Sequence, residues 1–133
     1  DEDIDPALAR VPSALTVLRP GYLPLEDLPG FLSGCDVLAY PSIAEGFGLP
    51  VLEAMSCGAA TLTTRLTSLP EVGGDAVAYC GTDPASIARE LRRLLDDPGR
   101  RAALGAAAIE RSGEFTWKRA AQVHIEAYKA AMR

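Results

Sequence analysis

The chain has 133 residues, of which 48% are hydrophobic and 23% charged, a composition typical of one ordinary globular domain rather than a disordered chain. Thirteen Lys and Arg residues stand against eighteen Asp and Glu residues, so the net charge of −5 leaves little cationic surface for a phosphate backbone. Nucleic acid is therefore a poor candidate partner. No apolar stretch of the sequence approaches the roughly 18 residues that a membrane-spanning helix needs.

The start of the chain and its cysteines bear on its cellular compartment. The chain begins with Asp1 rather than Met, and its opening residues lack the basic and apolar segments of a signal peptide. We therefore expect a piece of a longer cytoplasmic polypeptide, with contact to the membrane periphery left open for the full-length protein. The three cysteines are 22 and 23 residues apart, a spacing that fits neither a disulfide framework nor a cysteine metal site. His124 is the single histidine, so it cannot form a histidine metal site alone. We expect no metal, and reduced, buried thiols at Cys35, Cys57 and Cys80.

Local patterns in the first third of the chain predict a strand, a helix and a second strand. Residues 14–18 are partly β-branched and are followed by a Pro-Gly pair, which is typical of a strand that enters a loop. Leu25, Leu28 and Leu32 share one helical face. Residues 36–40 form a continuous apolar run that ends at a proline, which predicts a strand buried on both faces.

Four later helices carry local start signals. Pro50 suits the first turn of a helix that Gly58 ends. Asp83 and Asp97 each precede a proline and can cap a helix, and Thr116 can cap the last one.

Strands alternate with these helices along the chain. Residues 59–63 and 76–80 are predicted strands, and residues 68–72 are a predicted helical turn between them. This alternation implies right-handed crossovers, and therefore an α/β, Rossmann-like parallel sheet flanked by helices. In such a sheet the ligand binds outside the carboxyl ends of the strands.

The segment 41–53 is the candidate functional site, because it places a glycine-containing loop after a strand and before a helix. The free N–H groups of a first helical turn form an anion site, and Gly46 and Gly48 let a ligand approach the backbone. Glu45 and Glu53, at the two ends, would repel an isolated diphosphate, but they could accept hydrogen bonds from hydroxyl groups. A nucleotide sugar offers both groups. From spacing alone, an ordinary turn and helix start is an equally good interpretation.

The segment from Glu45 to Glu53 is a Glu-x7-Glu element that resembles the donor-binding half of retaining family 4 glycosyltransferases. Residues 36–42, which precede it, also resemble that family. Three further segments occur in the family's order: residues 21–24, 68–72 and 115–117. The resemblance implies the C-terminal half of a GT-B glycosyltransferase, which retains anomeric configuration and requires neither a metal nor a resident cofactor.

The resemblance also implies roles for individual residues in binding a nucleotide-diphosphate sugar. Glu45 would contact the donor sugar and is the candidate catalytic residue, and Glu53 would hold the ribose. The other implied donor-binding residues are Gly46, Phe47, Gly48, Leu49, Tyr22 and Leu23; the last two border the base.

The family's remaining parts are not matched. Its basic pair, which neutralises the donor diphosphate, and its N-terminal acceptor-binding domain lie upstream of every matched segment, and Arg19 does not match the pair. We therefore expect weak donor affinity and no transfer by the 133-residue chain itself.

The C-terminal helix, residues 116–133, is expected to cross to the missing N-terminal Rossmann-like domain. Trp117 and Tyr128 would then pack against the sheet or that domain. An uncovered apolar face would favour self-association. Two alternatives to a transferase remain: a non-catalytic nucleotide-binding or interaction module of the same fold, and a flavodoxin-like cofactor binder.

Overall fold

The computed structural model describes residues 4–132, which form a parallel three-stranded sheet flanked by helices. The strand order is β1-β2-β3, and both neighbouring pairs are parallel. The strands are β1 (Leu38–Tyr40), β2 (Thr61–Thr64) and β3 (Ala78–Cys80). The helices are α1 (Ile4–Leu8), α2 (Leu28–Ser33), α3 (Leu49–Ser56), α4 (Leu69–Gly73), α5 (Pro84–Leu95), α6 (Pro98–Ser112) and α7 (Trp117–Ala131). The predicted α/β fold class is confirmed.

The central strand β2 is polar in sequence and buried along its whole length. Its threonines fit this position because their hydroxyl groups are hydrogen-bonded. Thr63 donates to the carbonyl oxygen of Tyr40 at 2.8 Å, and Thr64 donates to that of Ser42 at 2.6 Å. These bonds tie β2 to the end of β1 and to the loop that follows it.

Helices cover both faces of the sheet. Ala78 and Tyr79 are adjacent in β3 and therefore point to opposite faces. Tyr79 packs against a cluster that includes Val51 of α3, whereas Ala78 packs with Leu94 of α5. Helices α3 and α6 also approach each other closely.

The helix starts agree with the sequence. Asp83, Asp97 and Thr116 each accept a hydrogen bond from a backbone N–H three residues later, at 2.8, 2.8 and 3.1 Å. Pro50 lies in the first turn of α3, and Gly58, with φ of +74°, follows its end. None of the described helices combines the length and hydropathy needed to span a bilayer.

Several expectations for the first third of the chain are wrong. Residues 14–18 form no strand, and Leu18 is 81% exposed, because no described strand lies beside them to pair with. The helix with the leucine stripe begins only at Leu28, and Leu25 is exposed. Strand β1 is not buried on both faces: it pairs with β2 alone, and Ala39 is exposed.

One expectation about burial is also wrong. Cys35, Cys57 and Cys80 are free thiols, as predicted, but they are half-buried rather than buried. Trp117 and Tyr128 do not pack against the sheet, since they are 91% and 66% exposed, and their packing against a partner domain stays a prediction.

Candidate functional site

The loop of residues 41–48 joins the end of β1 to the start of α3, and we call it the motif loop. Residues 65–68 follow β2 at the same edge of the sheet. Because parallel strands end at a common edge, the two segments meet where ligands bind in such sheets. The predicted site is therefore at the expected edge.

The motif loop is held by hydroxyl groups of the neighbouring segment. The N–H of Glu45 donates to Thr67 Oγ1 at 3.0 Å. The Ser68 hydroxyl donates to the carbonyl oxygens of Glu45 and Phe47, at 3.1 and 2.9 Å. Thr67 has a φ of +49°, a rare backbone conformation for a residue other than glycine.

Sequence reasoning missed Thr67 and Ser68 as parts of the site. Thr67 carried no signal beyond a run of hydroxyl-bearing residues after a buried strand, and such a run is equally typical of a turn. Ser68 also lies in the segment 68–72 that resembles the family.

The motif loop presents a row of free backbone N–H groups. Among the contacts of residues 4–132, the N–H groups of Gly46, Phe47, Gly48 and Leu49 donate to no protein acceptor. Gly48 is the N-cap of α3 with a φ of +99°, and a Cβ at this position would lie 2.8 Å from Leu69 Cδ2. Only glycine fits there without strain. The row therefore combines free donors with the positive end of a helix dipole.

Glu45 is half-buried and held by a tyrosine. The hydroxyl of Tyr40, the last residue of β1, donates to Glu45 Oε1 at 2.6 Å. This hydrogen bond is the main cause that lowers the pKa of the Glu45 carboxyl below its ordinary value, and the nearby Ser42 hydroxyl adds to the effect. The same bond raises the pKa of the Tyr40 hydroxyl. Glu45 is thus an ionised acceptor at neutral pH.

Glu53 is exposed one turn into α3. Within the described part of the chain its carboxylate makes no hydrogen bond or ion pair, so it is open to an external donor. Phe47 and Leu49, between the two carboxylates, are 41% and 57% exposed. Glu53 and the side chains of Phe47 and Leu49 are therefore accessible to solvent, Glu45 is partly accessible, and Gly48 between them is buried.

Tyr22 and Leu23 are not brought to the motif loop by any hydrogen bond or ring contact among the described residues. Tyr22 is 88% exposed in an irregular segment before α2, and Leu23 is half-buried. Their assignment to the base remains a prediction. Residues 4–132 also contain no group of three His, Cys, Asp or Glu side chains arranged to hold a metal ion.

Comparison with known proteins places the chain in a family. The sequence profile of the family described as Glycosyl transferases group 1 matches residues 16–111, which is more than half of the chain. The chain belongs to the group 1 glycosyltransferases. Its matched region includes the motif loop, both carboxylates and all three strands.

Individual group 1 and related glycosyltransferases resemble this chain over most of its length. It is 44% identical over 111 residues to the O-antigen chain mannosyltransferase B of Escherichia coli. The alignment covers 82% of this chain and 29% of that protein. It is 35% identical over 111 residues to the D-inositol 3-phosphate glycosyltransferase of Streptomyces bingchenggensis, with coverage of 81% and 24%.

The fold also matches that of a solved glycosyltransferase. The sucrose-phosphate synthase of Thermosynechococcus elongatus, a GT-B protein, superposes with a TM-score of 0.70 and 28% identity over 84% of this chain and 29% of that one. The chain spans 29% of the length of the E. coli mannosyltransferase and 24% of that of the Streptomyces glycosyltransferase.

Proposed function

We propose that this chain is the donor-binding part of a retaining hexosyltransferase that transfers a hexose from a nucleotide-diphosphate sugar. The observation that carries the proposal is the row of four free N–H groups at residues 46–49, flanked by Glu45 and Glu53. An anion suits the N–H groups and hydroxyl groups suit the carboxylates. A nucleotide-diphosphate sugar combines a diphosphate with hydroxyl groups on both sides.

In this proposal each part of the donor has a partner. Glu45 accepts hydrogen bonds from hydroxyl groups of the transferred sugar, and Glu53 accepts them from the ribose. The N–H groups of Gly46, Phe47, Gly48 and Leu49 face the sugar and the diphosphate. Tyr22 and Leu23 border the base.

The motif loop would act chiefly through electrostatics. Negative charge builds on the diphosphate as the bond to the sugar breaks, and fixed N–H groups stabilise such charge without having to reorient. Glu45, ionised and half-buried, would lie beside the sugar as positive character develops at its reacting carbon. The proposal includes no resident cofactor.

The relatives support a hexose as the transferred group, since the E. coli protein is a mannosyltransferase. The chain itself would bind the donor weakly and transfer nothing, because the resemblance assigns the cationic pair and the acceptor domain to segments that this sequence does not match. Without that cationic pair, the electrostatic stabilisation of the diphosphate is only that of a helix dipole.

Calorimetric titration of the chain with UDP, GDP and their sugar conjugates tests the proposal. The substitution Glu53→Gln removes a charge-assisted hydrogen bond, so it should weaken nucleotide binding by about tenfold. Glu110→Gln is the matched control, since Glu110 is also an exposed helical glutamate but lies in α6, and it should leave the affinity unchanged.

Two results would count against the proposal. Equal nucleotide affinity of Glu53→Gln and wild type would show that Glu53 is not part of the site. Absence of binding to every one of these nucleotides would reject the donor site as a whole.

A further inference from the structure

An aromatic side chain far along the chain contacts the motif loop. The ring of Phe47 meets the ring of Phe115 edge to face, with centroids 6.0 Å apart and an interplanar angle of 83°. Phe115 lies between α6 and α7, in the only described segment that joins these helices. The geometry is the favourable one for two aromatic rings.

Phe115 is in turn held by Arg111. The Cζ atom of Arg111 lies 5.6 Å from the centroid of the Phe115 ring, within the range of a cation–π interaction. The same guanidinium donates to the carbonyl oxygen of Val72 at 2.7 Å and to that of Glu71. Arg111 therefore fastens Phe115 to helix α4.

Gly74 makes this arrangement possible. A Cβ at Gly74 would lie 2.8 Å from the Cζ and Nε atoms of Arg111, and the φ of Gly74 is +53°. Any other side chain would displace the guanidinium. Three separate features of the chain, at residues 74, 111 and 115, thus converge on one ring contact with the motif loop.

Phe47 is held from two sides in consequence. Ser68 donates to its carbonyl oxygen at 2.9 Å, and Phe115 contacts its ring. The peptide planes on either side of Phe47 carry its own N–H and that of Gly48. A fixed ring and a fixed carbonyl leave these planes little freedom to rotate.

The contact does not belong to the hydrophobic core. Phe47 is 41% exposed and Phe115 is half-buried, and neither contributes to the three core clusters of the described residues. Core packing therefore does not explain why the two rings meet.

We infer that Phe115, anchored by Arg111, is a positioning residue: it holds the Phe47 ring and thereby orients the N–H groups of Phe47 and Gly48 toward the donor diphosphate. The identity of the ligand in this inference rests on the proposed function. The claim that Phe115 orders the motif loop rests on the structure alone.

The test uses Phe115→Ala and Phe115→Leu in the 133-residue chain, with Phe31→Ala as the control. Phe31 is also a phenylalanine, it is 54% exposed in α2, and it makes no ring contact among those described. Amide NMR spectra of the ligand-free chains report the order of residues 46–49, and titration with UDP and GDP reports binding.

In Phe115→Ala the amide signals of Phe47 and Gly48 should shift and show increased mobility, while those of β2 and β3 stay in place. Nucleotide affinity should fall about five- to tenfold, because the loop must then be ordered on binding. Phe115→Leu retains apolar contact and should recover part of both effects. Phe31→Ala should reproduce wild type.

Unchanged amide signals at residues 46–49 in Phe115→Ala would overturn the inference, and so would ordered signals together with wild-type affinity. If Phe115→Ala does not fold, Phe115→Leu decides by the same readouts. If wild type binds no nucleotide, the proposed function fails, whereas the ligand-free spectra still decide whether Phe115 orders the loop.

Discussion

Tyr40 and Glu45 show how a single hydroxyl group can set the charge state of a site. Tyr40 ends β1 and lies in register with Thr63 and, across it, with Tyr79. That register aims its hydroxyl at the motif loop, where it donates to Glu45 at 2.6 Å. A carboxylate that accepts such a bond holds its charge to lower pH.

The substitution Tyr40→Phe should raise the pKa of the Glu45 carboxyl toward its ordinary value, because the ionised form loses its main hydrogen-bond donor. A carbon-13 NMR titration of the side-chain carboxyl groups measures this change. Tyr128→Phe is the control, since Tyr128 lies on an exposed face of α7 and its hydroxyl donates to no described acceptor. An unchanged titration of Glu45 in Tyr40→Phe would show that the hydrogen bond does not control its charge.

The hydrogen bond from Tyr40 to Glu45 also makes the stability of the folded chain depend on pH. The pKa of Glu45 is lower in the folded chain than in the unfolded one. Its contribution to stability is therefore present above the unfolded pKa and is lost as the pH falls through the folded pKa. Tyr40→Phe should reduce the loss of stability that occurs as the pH falls.

At the scale of elements, the contact between α3 and α6 depends on small residues. A Cβ at Gly105 of α6 would lie 2.4 Å from the carbonyl oxygen of Gly58, just after α3. Backbone atoms cannot yield as a flexible side chain can, so the two helices would have to separate. Helix α3 carries the motif loop at its start, and its position depends on this contact.

Gly105→Ala should therefore lower the free energy of unfolding by about 1–3 kcal/mol or more, since about 1–3 kcal/mol is the usual cost of overpacking. Gly99→Ala provides a matched control in the same helix, because a Cβ there would meet only Asp97 Oδ1, at an ordinary 3.4 Å. It should be neutral or stabilise by up to about 1 kcal/mol, since alanine is the better helix former. Denaturant unfolding of both variants measures the difference, and similar stabilities would contradict the close packing.

At the scale of the whole molecule, α7 differs from the helices that build the core. It has no buried residue, and its exposed apolar side chains include Trp117, Val123, Ile125 and Tyr128. Apolar surface of this kind usually contacts another protein surface. We propose that α7 crosses to the partner domain in the full-length protein, and that it contacts a second copy when the chain is alone.

Sedimentation velocity over a range of concentrations should then show association of the chain, and the double substitution Trp117→Ser with Tyr128→Ser should weaken it. Leu95→Ser, which alters an exposed apolar residue of α5 instead, should associate like wild type. A strict monomer at high concentration would count against the apolar face of α7 as a contact surface.

Signals carried by neighbouring residues allowed the starts of α5, α6 and α7 to be predicted. Asp83, Asp97 and Thr116 each bond a backbone N–H three residues away, so the evidence for a cap lies within four consecutive positions. Glu45 and Glu53 likewise flank the start of a helix that local residues define. The α/β class and the location of the candidate site therefore followed from the chain alone.

Features that depend on a distant partner could not be obtained in this way. The exposure of Ala39 depends on how many strands pair with β1, and the absence of a strand at residues 14–18 depends on what lies beside them. The bonds from Ser68 to the motif loop and the contact between Phe47 and Phe115 exist only once the sheet and α6 bring those side chains together. Amino-acid order by itself determined where α5, α6 and α7 begin and which segment is the candidate site, because these signals lie in neighbouring residues. Tertiary structure alone decided which side chains hold the motif loop, because such contacts depend on the packing of residues that are far apart in sequence.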